Sequence, residues 1–152
     1  YSKSLSMPGE RIGYVCIPDT ATDSALLFAA VAGASRACGH VCAPSMMQLV
    51  IARATALRPD LAAYDQNRSL LYNALTEMGY DCVKPQGAFY MMVKSPNADS
   101  RAFSELAKRE NLLIVPADTF GCPGFCRVST CVDPDMIRRS LPAFRKVIEE
   151  MR

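Results

Sequence analysis

The 152-residue chain has no tryptophan, a single histidine, and aromatic residues that make up only 8% of the sequence. One histidine rules out a multi-histidine metal set, and the seven cysteines do not supply an alternative. Cys38-Gly39-His40-Val41-Cys42 and Cys122-x3-Cys126-x4-Cys131 come nearest to ligand clusters, but neither has the paired C-x2-C spacing of a zinc site. No metal is expected. Charge is nearly balanced, 17 Lys and Arg against 15 Asp and Glu, for a net +2. That is too little to argue for nucleic acid or a membrane surface as partner. No apolar run approaches the roughly 18 residues that mark a membrane span, no signal-peptide pattern is present, and there are no repeats or low-complexity tracts. Half of the residues are hydrophobic, ample for a packed core. The odd number of cysteines, scattered through apolar stretches, reads as reduced, buried thiols in a cytoplasmic protein. The eight methionines read as core filler.

The densest chemistry lies at the start, in Lys3-Ser4-Leu5-Ser6-Met7-Pro8-Gly9-Glu10-Arg11-Ile12-Gly13. A lysine amine forms a Schiff base with a carbonyl, and an arginine fork grips a phosphate through two parallel charge-assisted hydrogen bonds. Lys3 and Arg11, separated by a Pro8-Gly9 turn, therefore suit a cofactor that carries both an aldehyde and a phosphate. Pyridoxal 5'-phosphate has both groups and is commonly attached through lysine. The competing reading is a surface Lys and Arg flanking a β-turn.

Along the chain, Ile12–Ile17 reads as a buried strand ended by Pro18. Asp19, Thr20, Thr22 and Asp23 offer N-caps for a helix from Ala25 to about Ala37. A loop at 39–43 leads to a helix from Ser45 to about Leu57, with Pro44 suited to its first turn. Arg58-Pro59 breaks that helix, and Asp60 caps another running to Met78, with Gly79 as its stop. Strands are expected at 81–83, 88–93, 112–115 and 125–131, and a helix at 100–111. A final helix after Asp133-Pro134 carries an apolar stripe of Ile137, Leu141, Phe144, Ile148 and Met151. Pro142 lies inside that stripe and predicts a kink or a late start. The pattern divides into residues 1–58, helix-rich after one strand, and 59–152, alternating strand and helix.

Tyr1-Ser2-Lys3-x7-Arg11-Ile12-Gly13 resembles the cofactor-lysine signature of the class I/II aminotransferases, the fold-type-I pyridoxal-phosphate enzymes. Two further segments are similar to the same family. Lys84-Pro85-Gln86-Gly87-Ala88-Phe89-Tyr90 matches its Pro-x-Gly-Ala-Phe-Tyr segment. Pro116-x3-Phe120-Gly121-x5-Arg127-Val128-Ser129 matches its Pro-Gly-x-x-Phe-Gly…Arg-(Ile/Val)-Ser segment, with Ala117 in place of a glycine. The resemblance implies an α/β fold comprising the tail of the large cofactor domain (1–58) and an interdomain helix with the small α+β domain (59–152). It implies that Lys3 is the catalytic and cofactor-binding lysine, that Arg11 holds the phosphate, and that Arg127 binds the substrate α-carboxylate. Tyr90 is a candidate pocket residue, although an aromatic on a strand is commonly core.

A charged side chain in the apolar company of Phe125-Cys126-Arg127-Val128-Ser129 needs an anionic partner. The alternatives for Arg127 are a wet strand edge or pairing with Asp118 or Glu105. The implied activity moves an amino group between an amino acid and a 2-oxo acid, a role that calls for burial of the Lys3 amine. Other phosphate contacts, the ring-stacking aromatic and the pyridine-nitrogen aspartate belong to the family's N-terminal half. The chain opens inside the motif without an initiator Met, so it reads as a piece of something longer and is expected to be inactive alone. A homodimer contact is expected at 40–44, where family members reach toward the partner's active site. Lys3 and Arg127 would serve a pyridoxal-phosphate C–S lyase equally well, and an aminotransferase-like sensing domain of a transcription regulator is a further alternative.

Overall fold

The computed structural model describes residues 1–151 and divides into two compact units, Tyr1–Pro59 and Asp60–Arg152. The first unit contains helices α1 (Ser24–Ala37) and α2 (Ser45–Ala54). The alanine-rich α1 has strong intrinsic helix propensity. Asp23 sits at its N-cap but in left-handed backbone at φ 54°, without a side-chain cap bond. At the other end, Gly39 takes φ +83°, and its N–H donates to the Arg36 carbonyl at 2.9 Å. The His40 N–H reaches the Ser35 carbonyl at 2.9 Å, so the last-turn carbonyls are satisfied where only glycine turns freely. Pro44 is the N-cap of α2, which ends three residues short of its expected limit.

Ile12–Ile17 does not form a strand. The segment is irregular, with Tyr14 77% and Val15 73% exposed. A strand exists only where a neighbour pairs its N–H and C=O groups, and the first unit offers no strand among the described residues. The expectation of buried thiols fails as well. Cys16, Cys38, Cys42, Cys122 and Cys131 are exposed, Cys82 is half-buried, and Cys126 is buried. Apolar neighbours in sequence do not bury a side chain whose element lacks a covering layer.

The second unit has such a layer. Its elements are α3 (Leu61–Glu77), β1 (Tyr90–Lys94), α4 (Ser100–Arg109), β2 (Val115–Pro116), a 3-10 turn (Asp118–Phe120), β3 (Phe125–Ser129) and α5 (Pro134–Met151). The strands form an antiparallel sheet in the order β1-β3-β2. Strand register pairs Met91 with Val128 and Val93 with Cys126. Alternation then sends these four side chains to one face, where they are buried with Leu71 and Leu75 of α3, Phe103 and Ala107 of α4, and Ile137, Phe144, Val147 and Ile148 of α5. The predicted stripe on α5 is thus the buried face, with Leu141 and Met151 partly buried at its margin.

α5 continues through Pro142. Proline in a helix removes one i→i−4 bond, but Pro142 lies on the exposed side, where water can satisfy the released carbonyl. The expected strand at 81–83 shrinks to one bridge between Cys82 and Val93, and that at 112–115 is strand only at Val115, where β2 begins. Two polar groups fasten this core. The Tyr80 hydroxyl donates to the Phe144 carbonyl at 2.7 Å, and the Asn67 amide spans from α3 to the Thr130 and Val132 carbonyls at 3.2 and 2.7 Å.

Candidate functional site

Each unit contributes its own set of candidate residues. In the first, Tyr1, Ser2, Lys3, Ser4, Arg11, Ile12 and Gly13 line one hollow of about 450 Å³. The turn at 2–5 folds the segment back on itself, with the Leu5 N–H donating to the Tyr1 carbonyl at 3.2 Å. The Tyr1 amino group donates to the Ile12 carbonyl at 3.0 Å, and the Tyr1 and Tyr14 rings lie 5.7 Å apart. These contacts return the residues after Arg11 to the side of Lys3, so two residues eight apart in sequence share one concavity.

Arg11 has φ 50°, uncommon for a residue with a Cβ, and its Nη1 donates to the Pro8 carbonyl at 3.0 Å. One guanidinium nitrogen is thereby spent on the Pro8-Gly9 turn, and the remaining edge keeps donors for an anion. Lys3 is exposed; the burial that its chemistry asks for is absent here.

In the second unit, Arg127 lies mid-strand on β3, half-buried, on the face opposite Cys126 and Val128. Register places it across from Met92 of β1 and Val115 of β2. Tyr90, paired with Ser129, is therefore a diagonal neighbour on the same face, within reach of a long side chain. Its ring centroid is 4.3 Å from the Arg127 Cζ. The Phe120 ring, carried by the 3-10 turn after β2, is also 4.3 Å away. Sequence reading missed Phe120: its place in the Phe120-Gly121 loop was visible, but its approach to Arg127 depends on β2 lying on the far side of β3 from β1.

Neither expected acidic alternative takes Arg127. Asp118 accepts a hydrogen bond from the Ser100 hydroxyl, and Glu105 pairs with Lys108 at 2.5 Å. Among the described residues no carboxylate forms an ion pair with Arg127. A half-buried guanidinium with aromatic neighbours and no ion-pair partner among the described residues has the donor geometry that pairs with planar oxyanions in general. Cys126, next to it but on the core face, is pushed up to about 12 by burial, with a smaller contribution from Asp118. It is inert as a nucleophile.

Among the described residues no group of three or more His, Cys, Asp or Glu side chains could hold a metal, and no helix is long and apolar enough to cross a membrane. The chain is 27% identical over its whole length to aromatic-amino-acid aminotransferase 2 of Thermococcus litoralis, covering 40% of that protein. It is 29% identical to the aspartate/prephenate aminotransferase of Thermus thermophilus, with 97% of this chain and 39% of that one covered. The crystal structure of an amino transferase from Eubacterium rectale superposes on 100% of this chain and 38% of its own, with a TM-score of 0.87 and 56% identity. The chain thus spans about two fifths of the length of the curated relatives it matches. The family model for aminotransferase class I and II aligns with residues 1–144, a stretch that takes in the Lys3–Arg11 hollow and the Arg127 strand alike, and the chain belongs to that family.

Proposed function

We propose that this chain provides the cofactor lysine, one phosphate-holding arginine and the substrate-carboxylate arginine of a pyridoxal-phosphate-dependent aminotransferase, acting on an amino acid and a 2-oxo acid. The observation that supports the reading is the hollow lined by both Lys3 and Arg11, an amine and a guanidinium being the two groups that an aldehyde-bearing phosphate would call on. Its volume suits a small cofactor, and its backbone bends sharply enough to put Arg11 at positive φ.

Pyridoxal 5'-phosphate, when bound, supplies the electron sink that lets a substrate Cα–H bond ionise. Lys3 would hold its aldehyde carbon through Nζ and, once displaced by the substrate amine, carry a proton to and from Cα. Arg11 would hold the phosphate. Arg127 would grip the substrate α-carboxylate and fix the direction of the Cα–H bond, and Tyr90 would border the same pocket. On this reading Tyr1–Pro59 is the tail of the large cofactor domain, and Asp60–Arg152 is the interdomain helix and small domain. The complete enzyme would be a cytoplasmic homodimer, with 40–44 facing the partner.

Lys3 exposure supports the view that the rest of a full-length enzyme buries the amine, so the isolated chain is expected to be inactive. The test is borohydride reduction after incubation with pyridoxal phosphate, followed by peptide mapping. It is run on this chain and on one extended to the relatives' full length. Selective labelling of Lys3 over Lys84, Lys94, Lys108 and Lys146 in the longer chain is the expected result. Equal labelling of all lysines there, or of none, overturns the assignment.

A further inference from the structure

The surroundings of Arg127 suggest more than a bare positive charge. Tyr90 reaches it from β1 and Phe120 from the turn that follows β2, and these two strands flank β3 on opposite sides. Both ring centroids stand 4.3 Å from Cζ, the distance of a stacked cation–π contact. Both residues are partly solvent-facing, Tyr90 at 36% and Phe120 at 51% exposure, so neither belongs to the buried core. The core face of the sheet is occupied by Met91, Val93, Cys126 and Val128.

We propose that Tyr90 and Phe120 are positioning residues that clamp the Arg127 guanidinium between them and present its N–H edge to one planar carboxylate. The inference rests on the reading of Arg127 as the carboxylate binder and assigns the two rings a function within it. An arginine side chain loses several rotamers' worth of entropy when it binds. Aromatic contacts on the guanidinium make that loss before the ligand arrives, so less is lost on binding. They also exclude water from the flanks of the cation while leaving its hydrogen-bonding edge open, which strengthens a charge-assisted bidentate contact. Tyr90 then acts through its ring and not through its hydroxyl, which separates this role from that of a pocket residue touching substrate.

The test uses the 152-residue chain, with propionate as probe and potassium chloride as the ionic-strength control. Two properties are followed by nitrogen-15 NMR: the Arg127 Nε–H signal during titration, and the rate of rotation about its Nε–Cζ bond. In the wild type, propionate is expected to shift the signal and rotation to be slow. Tyr90→Leu and Phe120→Leu should each speed rotation and weaken propionate binding about three- to tenfold, the range of a partly desolvated cation–π contact. Tyr90→Met and Phe120→Met keep bulk without a π face and should behave like the leucine variants, which guards against a folding defect in either. Tyr90→Phe keeps the ring and should match the wild type in both readouts.

Wild-type rotation and affinity in the leucine and methionine variants, with binding abolished by Arg127→Gln, overturn the clamp and leave the carboxylate reading standing. Binding that survives Arg127→Gln, or is absent from the wild type, overturns the carboxylate reading and the clamp with it.

Discussion

Replacing Asn67 with alanine tests how the strand bearing Arg127 is anchored. Asn67 is buried on α3 and donates both of its amide protons' worth of bonding to the segment leaving β3, at the Thr130 and Val132 carbonyls. The alanine variant leaves both acceptors without that donor. A buried acceptor stripped of its partner costs about 1–3 kcal/mol. The Val132 bond is only partly buried, so water recovers some of its share, and the expected loss is about 2–4 kcal/mol in all. For a unit of this size each kcal/mol shifts the melting temperature by about 4–8 °C, which puts the variant roughly 8–32 °C below the wild type. Thermal melting of the chain followed by near-ultraviolet circular dichroism reads the shift. A drop of less than about 3 °C would refute the reasoning, because the two bonds would then contribute nothing beyond what water replaces.

Asn67→Asp sharpens the same test through pH. A carboxyl facing two carbonyls in a buried position is easier to keep protonated folded than unfolded, so its folded pKa is raised. The folded state then holds more protons than the unfolded one above the unfolded value of about 3.9, and stability falls as pH rises. The aspartate variant should therefore approach the wild type near pH 4 and fall furthest behind it at neutral pH.

Three other outcomes are expected. Thr130 is 1% exposed, and its hydroxyl oxygen is buried without a hydrogen-bond partner among the described residues; Thr130→Val should leave stability unchanged or raise it by about 1 kcal/mol, measured by guanidinium denaturation. Burial pushes Cys126 up to about 12, with Asp118 adding to the rise, and Cys82 up to about 11, with Asp81 adding. Because the thiolate is the nucleophile, iodoacetamide at pH 8 followed by mass spectrometry should label the five exposed cysteines of the folded chain well before these two. Cys126, fully buried, should stay unlabelled until the chain is denatured.

The helices of the second unit were legible because their apolar residues repeat at the period of one helix face. Ile137, Phe144 and Ile148 on α5 lie where that spacing put them, and Phe103 and Ala107 on α4 are buried with them. Asn67 was not legible. It occupies a buried position in the same stripe as Leu71 and Leu75, and a polar residue there declares itself only when the carbonyls it serves arrive from more than sixty residues away.

Strand limits were overdrawn, since residue preference extends further than pairing does. Cys82 finds a single bridge, and Ile12–Ile17 finds no partner strand among the described residues. Lys3 and Arg11 could be paired from their spacing and the turn between them. The ring pair on Arg127 could not, because Phe120 reaches it through strand order, a property of the assembled sheet. Burial failed at Cys16, Cys38 and Cys42 for the reason that Ile12–Ile17 failed, the want of a facing layer, whereas Cys122 and Cys131 are exposed because they lie outside the strands that face the core.

Helix α1 has no buried residue, and Leu26 and Phe28 on it are 69% and 67% exposed. Apolar surface of that kind is removed from water by whatever meets it first. In dilute solution the chain would stay dispersed, whereas in concentrated solution α1 surfaces of different molecules would meet, and light scattering would rise with protein concentration while the core of the second unit kept its melting temperature. Handling of this chain is thus set by a helix that contributes little to its folded stability, and a charged residue at position 28 would alter its colloidal behaviour more than its fold.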